Sequence, residues 1–148
     1  MSSEFIPLTA DNIARFVPLY VSVFNAPPWN DGWTEGVALE RLQSFARFPT
    51  FDGLGLLIDG EPAALVLGWG ERWVKSWIFH IQEFCVAGDR QRSGLGKVLM
   101  SEFERRLQEQ GFSSVYLHTG ETAPARGFYE AVGYKQSFKA VSLSKRLA

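Results

Sequence analysis

Apolar residues recur along this chain at two spacings, and each change of spacing marks an element. Residues 5–8, Phe-Ile-Pro-Leu, are a short apolar run suited to a first strand. Over residues 11–24, Ile13, Phe16, Val17, Tyr20 and Phe24 fall on one helical face. Pro18 removes a backbone donor inside that run and predicts a kink or a split. Residues 25–32, Asn-Ala-Pro-Pro-Trp-Asn-Asp-Gly, read as a loop. Thr34 is placed to cap a second helix that runs to about Arg47, with Ala38, Leu42 and Phe45 inward. Apolar runs at 54–58 and 63–69 flank Asp59-Gly60, a hairpin signal. Residues 77–86, rich in aromatic and branched side chains, predict a long strand. Leu95, Val98, Leu99, Phe103 and Leu107 then mark the inner stripe of an amphipathic helix, with Gly111 just past its end. A strand over 113–118, a short helix over 123–132 opened by Pro124 and followed by Gly133, and a last strand over 134–147 complete the chain.

The predicted order is β-α-α-β-β-β-α-β-α-β. Hairpin-linked strands give an antiparallel part, and the strand-helix-strand unit around residues 84–117 gives a parallel pairing. The expectation is an α+β fold: a mixed, mostly antiparallel sheet with helices on both faces. The 148 residues suit a single domain over 1–148, with no linker or internal repeat.

Composition narrows the function classes. At 46% hydrophobic and 21% charged, the chain reads as globular. A net charge of -1 supplies no field that would favour nucleic acid or an anionic membrane. The single cysteine, Cys85, excludes an intrachain disulfide, and its apolar neighbours predict a buried, inert thiol. No basic-then-apolar leader and no spanning apolar run is present, so a cytoplasmic location is the simplest expectation. One cysteine and two separated histidines offer no metal-binding spacing. Trp69, Trp73 and Trp77 stand at intervals of four and would share one face of an unbroken strand.

The chemistry concentrates after the strand at 77–86. Gln91-Arg92-Ser93-Gly94-Leu95-Gly96-Lys97 joins strand to helix. The first amides of a helix lack internal partners and lie at the positive end of its dipole, and glycine lets an anion approach the backbone. Arg90, Arg92 and Lys97 add charge suited to several phosphates. A P-loop fits badly, because Leu95 follows Gly94 where Lys is needed; the dinucleotide fingerprint fits badly too, with Leu99 at its third glycine. A tight strand-to-helix turn is the alternative reading of the glycines alone.

The surroundings of that turn carry a resemblance. Gln91-x-x-Gly94-x-Gly96, following Glu83-Phe84-Cys85-Val86, resembles the coenzyme A junction of the GNAT acetyltransferase superfamily. Residues 125–134, Ala-Arg-Gly-Phe-Tyr-Glu-Ala-Val-Gly-Tyr, resemble the family's downstream Ala-x-x-Phe-Tyr-x-x-x-Gly-Phe segment. The resemblance implies acetyl-CoA as co-substrate. Amides from Arg92 through Ser93, Gly94, Leu95 and Gly96 to Lys97 would hold its pyrophosphate, with Gln91 opening the loop. Phe84, Cys85 and Val86 would pair with the pantetheine arm, and an amide near Cys85 or Val86 would stabilise the developing oxyanion. Glu83 is the first candidate base, with pairing to a basic side chain as its structural alternative, and His80 is the second. Ordinary alternation puts His80 and Glu83 on opposite faces, so both can serve one site only across a bulge. Tyr129 matches the family's proposed general acid, and Phe128 is expected to pack. Thr122 stands where the family often has Asn, and its hydroxyl can bond a pantetheine amide or cap the helix.

The resemblance also implies that the first two helices and the loop between them wall the acceptor site, and here that loop covers residues 25–33. Trp29 and Trp33, with Asp31, suit a cationic amine through cation–π and ionic contacts, or else seal the core. A small-molecule amine is the expected acceptor, with a peptide or protein amine as alternative. A non-catalytic coenzyme A-binding domain of the same fold is the rival from another class. The last strand, with its apolar alternation, is compatible with a homodimer of the kind common in the family.

Overall fold

The structure is a computed structural model that describes residues 2–137 and 139–148. They fall into two compact units, Met1–His118 and Thr119–Ala148. In the first unit, β1 (Ser3–Pro7), β2 (Phe51–Ile58), β3 (Glu61–Arg72), β4 (Trp77–Val86) and β5 (Phe112–Leu117) lie side by side in chain order. The first three pairings are antiparallel and β4–β5 is parallel, which is the mixed, mostly antiparallel sheet expected. Three helices accompany it: α1 (Val17–Asn25), α2 (Glu35–Ala46) and α3 (Leu95–Glu109).

Local chemistry sets these boundaries. Pro18 splits the first helical run into a 3₁₀ turn, Ile13–Phe16, and α1, whose first turn it occupies. There its missing N–H costs no intrahelical bond. Thr34 caps α2 by accepting a hydrogen bond from the Val37 amide at 3.2 Å. Asp59 and Gly60 both take positive φ, +49° and +82°, the pattern of a tight two-residue hairpin turn between β2 and β3.

Cross-strand pairing decides which side chains share a face. Leu65 and Leu67 of β3 and Cys85 of β4 join Ile13, Phe16, Tyr20, Ala38 and Leu42 in a core beneath α1 and α2. Phe79 turns to the opposite face, edge-on to Phe103 of α3 and to Phe112, with centroids 5.3 and 5.4 Å away. Each buried Leu, Ile or Phe among these contributes about 1.5–3 kcal/mol. The sheet is therefore covered on both faces.

A bulge interrupts β4. Leu67 pairs with Glu83 but Gly68 pairs with Ile81, so Gln82 is the extra residue. Leu67 and Trp69 share a face of β3, and their partners are Glu83 and His80. The bulge thus brings His80 and Glu83 to one face, where plain alternation would separate them. Gly68 permits this close approach: a Cβ there would lie 1.8 Å from the His80 carbonyl oxygen.

Two expectations change. Trp69, Trp73 and Trp77 do not share a strand face. The chain reverses through a turn closed by Trp73 N–H donating to Ser76 O (2.8 Å), leaving Trp69 in β3, Trp73 exposed and Trp77 in β4. The last strand over 134–147 is also not seen: the described residues of that stretch form no regular element, and position 138 lies outside the described residues. Val141, Leu143 and Leu147 are 83, 89 and 92% exposed, so the apolar alternation buries no face that would hold a strand in place.

The second unit contains α4 (Pro124–Ala131), with Pro124 in its first turn and Gly133 at φ +102° beyond its end. Among the described residues, no helix is long and apolar enough to cross a membrane.

Candidate active site

Glu83 stands at the centre of a polar network on the face beneath α1 and α2. It is 7% exposed. Its Oε1 accepts from the Tyr20 hydroxyl at 3.2 Å and from Arg41 Nε and Nη2 at 3.1 and 2.8 Å. Arg41 Nε also donates to the Tyr20 oxygen at 3.2 Å. The three bonds to Glu83 converge on one carboxylate oxygen, and Oε2 takes none of them. Burial holds the Glu83 carboxyl above its ordinary range, against the opposing pull of Arg41 and Tyr20, and the charge of Asp31 adds to the rise. Burial, and then the Glu83 charge, push the Tyr20 hydroxyl well above its usual value, so it remains a donor.

Helix α2 delivers Arg41 with its guanidinium carbon 5.5 Å from the Trp33 ring centroid and 4.8 Å from that of Phe45. Trp33 packs edge-on to Tyr20 (5.6 Å), and its indole N–H donates to Asp31 Oδ2 (3.0 Å). Asn25 pins the loop by bonding Trp33 at both backbone groups, donating to its O (2.9 Å) and accepting from its N (2.6 Å). Trp29 lies edge-on to Phe24 at 5.2 Å and stays 39% exposed. Carboxylate, phenol and aromatic faces therefore meet around a positive group, here the protein's own guanidinium. Neither Arg41 nor Asn25 stands out in the sequence. Arg41 did carry a signal: it lies three residues after Ala38 and four before Phe45, inside the inward stripe of α2.

His80 neighbours this network. Its Nε2 meets Gln82 Oε1 at 3.0 Å, and its ring packs among Trp69, Tyr116 and His118. Cys85 is buried as expected, and burial followed by the nearby Glu83 charge pushes its thiol up, which keeps it protonated and inert.

On the edge of β4, pairing with β5 ends at Ile81–Leu117, whereas pairing with β3 continues to Val86. From Gln82 to Val86, including Phe84 and Cys85, the strand has a strand neighbour on one side only. The chain then passes through a short turn, Gly88–Arg90, into the glycine-bearing loop. Gln91 Nε2 donates back to Val86 O at 3.1 Å, and Ser93 Oγ donates to Arg90 O, which tie the loop to the strand end. Arg92 and Gly94 both take left-handed backbone, φ +65° and +87°. Such residues help aim successive amides at one point. The first α-helical bond is donated by Val98 N to Gly94 O (3.1 Å), so the amides of Leu95, Gly96 and Lys97 precede it. This donor set, flanked by Arg90, Arg92 and Lys97, fits a diphosphate.

Thr122, Phe128 and Tyr129 belong to the second unit. Thr122 is exposed just ahead of α4. Phe128 and Tyr129 are half-buried on α4, their rings 5.5 Å apart, and Tyr129 also meets the Tyr134 ring at 6.1 Å.

The sequence profile of the Acetyltransferase (GNAT) family matches residues 20–134. The chain belongs to that family. A Bacillus subtilis (strain 168) protein provisionally named an acetyltransferase is 42% identical over 55 residues, 37% of this chain and 36% of that protein. The chain thus matches little more than a third of that relative's length. Among solved structures, an aminoglycoside acetyltransferase from an uncultured soil metagenomic sample, in complex with sisomicin, superposes with a TM-score of 0.77 at 16% identity, covering 99% of this chain and 97% of that one. The ribosomal-protein-alanine N-acetyltransferase of Brucella melitensis biovar Abortus 2308 gives 0.79 at 16% identity, covering 98% and 100%. At such identity these likenesses show the shared fold.

Proposed function

We propose that residues 1–148 act as one N-acetyltransferase domain that moves the acetyl group of acetyl-CoA directly to a primary amine of a small molecule in the cytoplasm. The observation that carries this reading is the one-sided edge of β4 from Gln82 to Val86, which leads straight into the amides of residues 92–97. Those amides, with Gln91 bracing the loop, hold the pyrophosphate. Backbone groups of Phe84, Cys85 and Val86 pair with the pantetheine amides, and one amide near Cys85 or Val86 bonds the thioester oxygen as charge develops there. Thr122 adds a hydroxyl to that arm, and Phe128 packs against it.

Glu83 takes the proton of the incoming ammonium. Arg41 and Tyr20 occupy Oε1 and leave Oε2 for this task. Burial raises its pKa above the ordinary carboxylate range, the direction that makes it a stronger base. As the C–N bond forms and the C–S bond breaks, Tyr129 protonates the departing sulfur and is reprotonated by the second proton that the acylated nitrogen releases. Trp29 and Trp33 wall the acceptor side with His80. The transfer balances without a metal or an acyl-enzyme: the acetyl carbonyl carbon passes from sulfur to nitrogen, and the protons pass through Glu83 and Tyr129.

Calorimetry with acetyl-CoA tests the donor half. Saturable binding, weakened by a charge-reversed Lys97→Glu, is expected. No binding at millimolar acetyl-CoA would overturn the reading.

A further inference from the structure

Beyond Glu83, the same face of the sheet carries a second polar group of residues. Along β3, Leu67, Trp69 and Glu71 share this face, and their cross-strand neighbours are Glu83 at Leu67 and His80 at Trp69. Tyr116 of β5 pairs with His80. Glu83, His80, Tyr116 and Glu71 thus form a polar track. Two residues of strand rise, about 7 Å, separate the roots of Glu83 and His80, and about 13 Å separates the level of Glu83 from Glu71.

Two features of this track are unfinished. The first is His80 Nδ1, which is buried with no hydrogen-bond partner among the described residues, on a side chain 7% exposed. With Gln82 Oε1 as the acceptor, Nε2 carries the hydrogen, and in the neutral ring Nδ1 is a bare acceptor. An unmet buried acceptor is unfavourable, so a ligand that brings a donor relieves it. The second is Glu71. Both of its oxygens accept from one phenol, Tyr116 Oη, at 2.8 and 3.0 Å. Burial and the adjoining Glu71 push Tyr116 up to about 12, so the phenol stays neutral at physiological pH. Glu83 has Arg41 as its counter-charge, whereas no ion pair to Glu71 occurs among the described residues. The rings of Trp69 and Tyr116 pack against the His80 ring, with centroids 5.2 and 4.7 Å from it.

We propose that His80, Tyr116 and Glu71 form a second acceptor subsite that holds a further amino or hydroxyl group of the substrate while its reacting amine meets Glu83. The inference rests on the reading of Glu83 as the acceptor end. It names the substrate class: polyfunctional amines, such as diamines or amino alcohols, with two donor-bearing groups several bonds apart. An ammonium group is complementary to Glu71, and its N–H, or a hydroxyl, is complementary to Nδ1 of His80.

Direct binding tests this without relying on turnover. The chain has two histidines, so a His118→Gln variant assigns the imidazole resonances of His80 in the nitrogen-proton spectrum. A straight-chain diamine and the monoamine of equal length are titrated into the full chain. The diamine is expected to bind at least tenfold more tightly and to shift the His80 resonances; the monoamine is expected to leave them in place. Glu71→Gln should weaken the diamine about tenfold, with monoamine and acetyl-CoA affinities unchanged, and Tyr116→Phe should weaken it less. Equal affinity for the two amines, or undiminished diamine affinity in Glu71→Gln, overturns the subsite. Diamine binding as expected but without acetyl transfer would overturn the proposed reaction and leave the subsite standing.

Discussion

Replacing Glu83 by Gln separates the charge of this residue from its shape. The amide keeps a carbonyl oxygen where Oε1 stands, so Tyr20 at 3.2 Å and Arg41 at 2.8 and 3.1 Å retain an acceptor. What is lost is charge assistance, about 1 kcal/mol per bond. What is gained is relief from burying a carboxylate on a residue 7% exposed. The two oppose each other, so stability should change by no more than about 2 kcal/mol. Turnover should respond very differently, because the amide cannot take a proton: a positioned base contributes about 10²–10⁴-fold. The assay is thiol release from acetyl-CoA with a saturating amine, measured against pH. In the wild type, activity should fall at acid pH with an apparent pKa above the ordinary carboxylate range, as burial raises Glu83. The variant should lose that limb. Denaturation against pH reads the same shift through stability. A carboxyl whose native pKa is raised holds its proton more tightly in the folded state. Its ionisation therefore costs stability as pH climbs from the unfolded carboxylate range through the native pKa. Relative to Glu83→Gln, the wild type should lose stability across that window. Turnover within threefold of wild type, with the acid limb intact, would refute the base assignment.

Arg41→Met should move the acid limb to higher pH, because the hydrogen bonds and charge of Arg41 hold the Glu83 pKa down against burial; a limb that stays put or moves to lower pH contradicts this. Tyr129→Phe should cut turnover at least tenfold while calorimetry finds acetyl-CoA affinity within about twofold of wild type, as removal of a positioned acid requires. Gly68→Ala should cost about 1–3 kcal/mol or more in urea denaturation, since its Cβ would meet the His80 carbonyl oxygen at 1.8 Å; an equally stable variant would deny the bulge its close approach.

Most of the fold was legible because its local signals agree with its packing. Thr34, Asp59-Gly60, Gly111 and Pro124 each mark a boundary by a backbone need that only certain residues meet, and each marks an element end or turn in the structure. The limits were 77 and 86 for β4 in both readings because aromatic and branched residues run unbroken between them. Four things were not legible. Trp69, Trp73 and Trp77 looked periodic because spacing does not reveal where a chain reverses. Residues 134–147 alternate like a strand, yet pairing depends on a neighbour that no local pattern specifies. The bulge at Gln82 has no local signature beyond Gly68 on the facing strand, so the shared face of His80 and Glu83 emerged only from the register. The Tyr20–Arg41–Glu83 network escaped for the same reason: its members stand 21 and 42 residues apart, joined only when α1, α2 and β4 pack.

The central claim is direct transfer of acetyl from coenzyme A to an amine at this site. Its most direct measurement is a paired assay over a panel of small amines, reading thiol release and acetylated amine from the same reaction by mass spectrometry. Equimolar thiol and acetyl-amine are expected with at least one polyfunctional amine, and neither product in Glu83→Gln. Acetyl-CoA binding with no transfer to any amine in the panel would contradict it and would favour a coenzyme A-binding domain without catalysis.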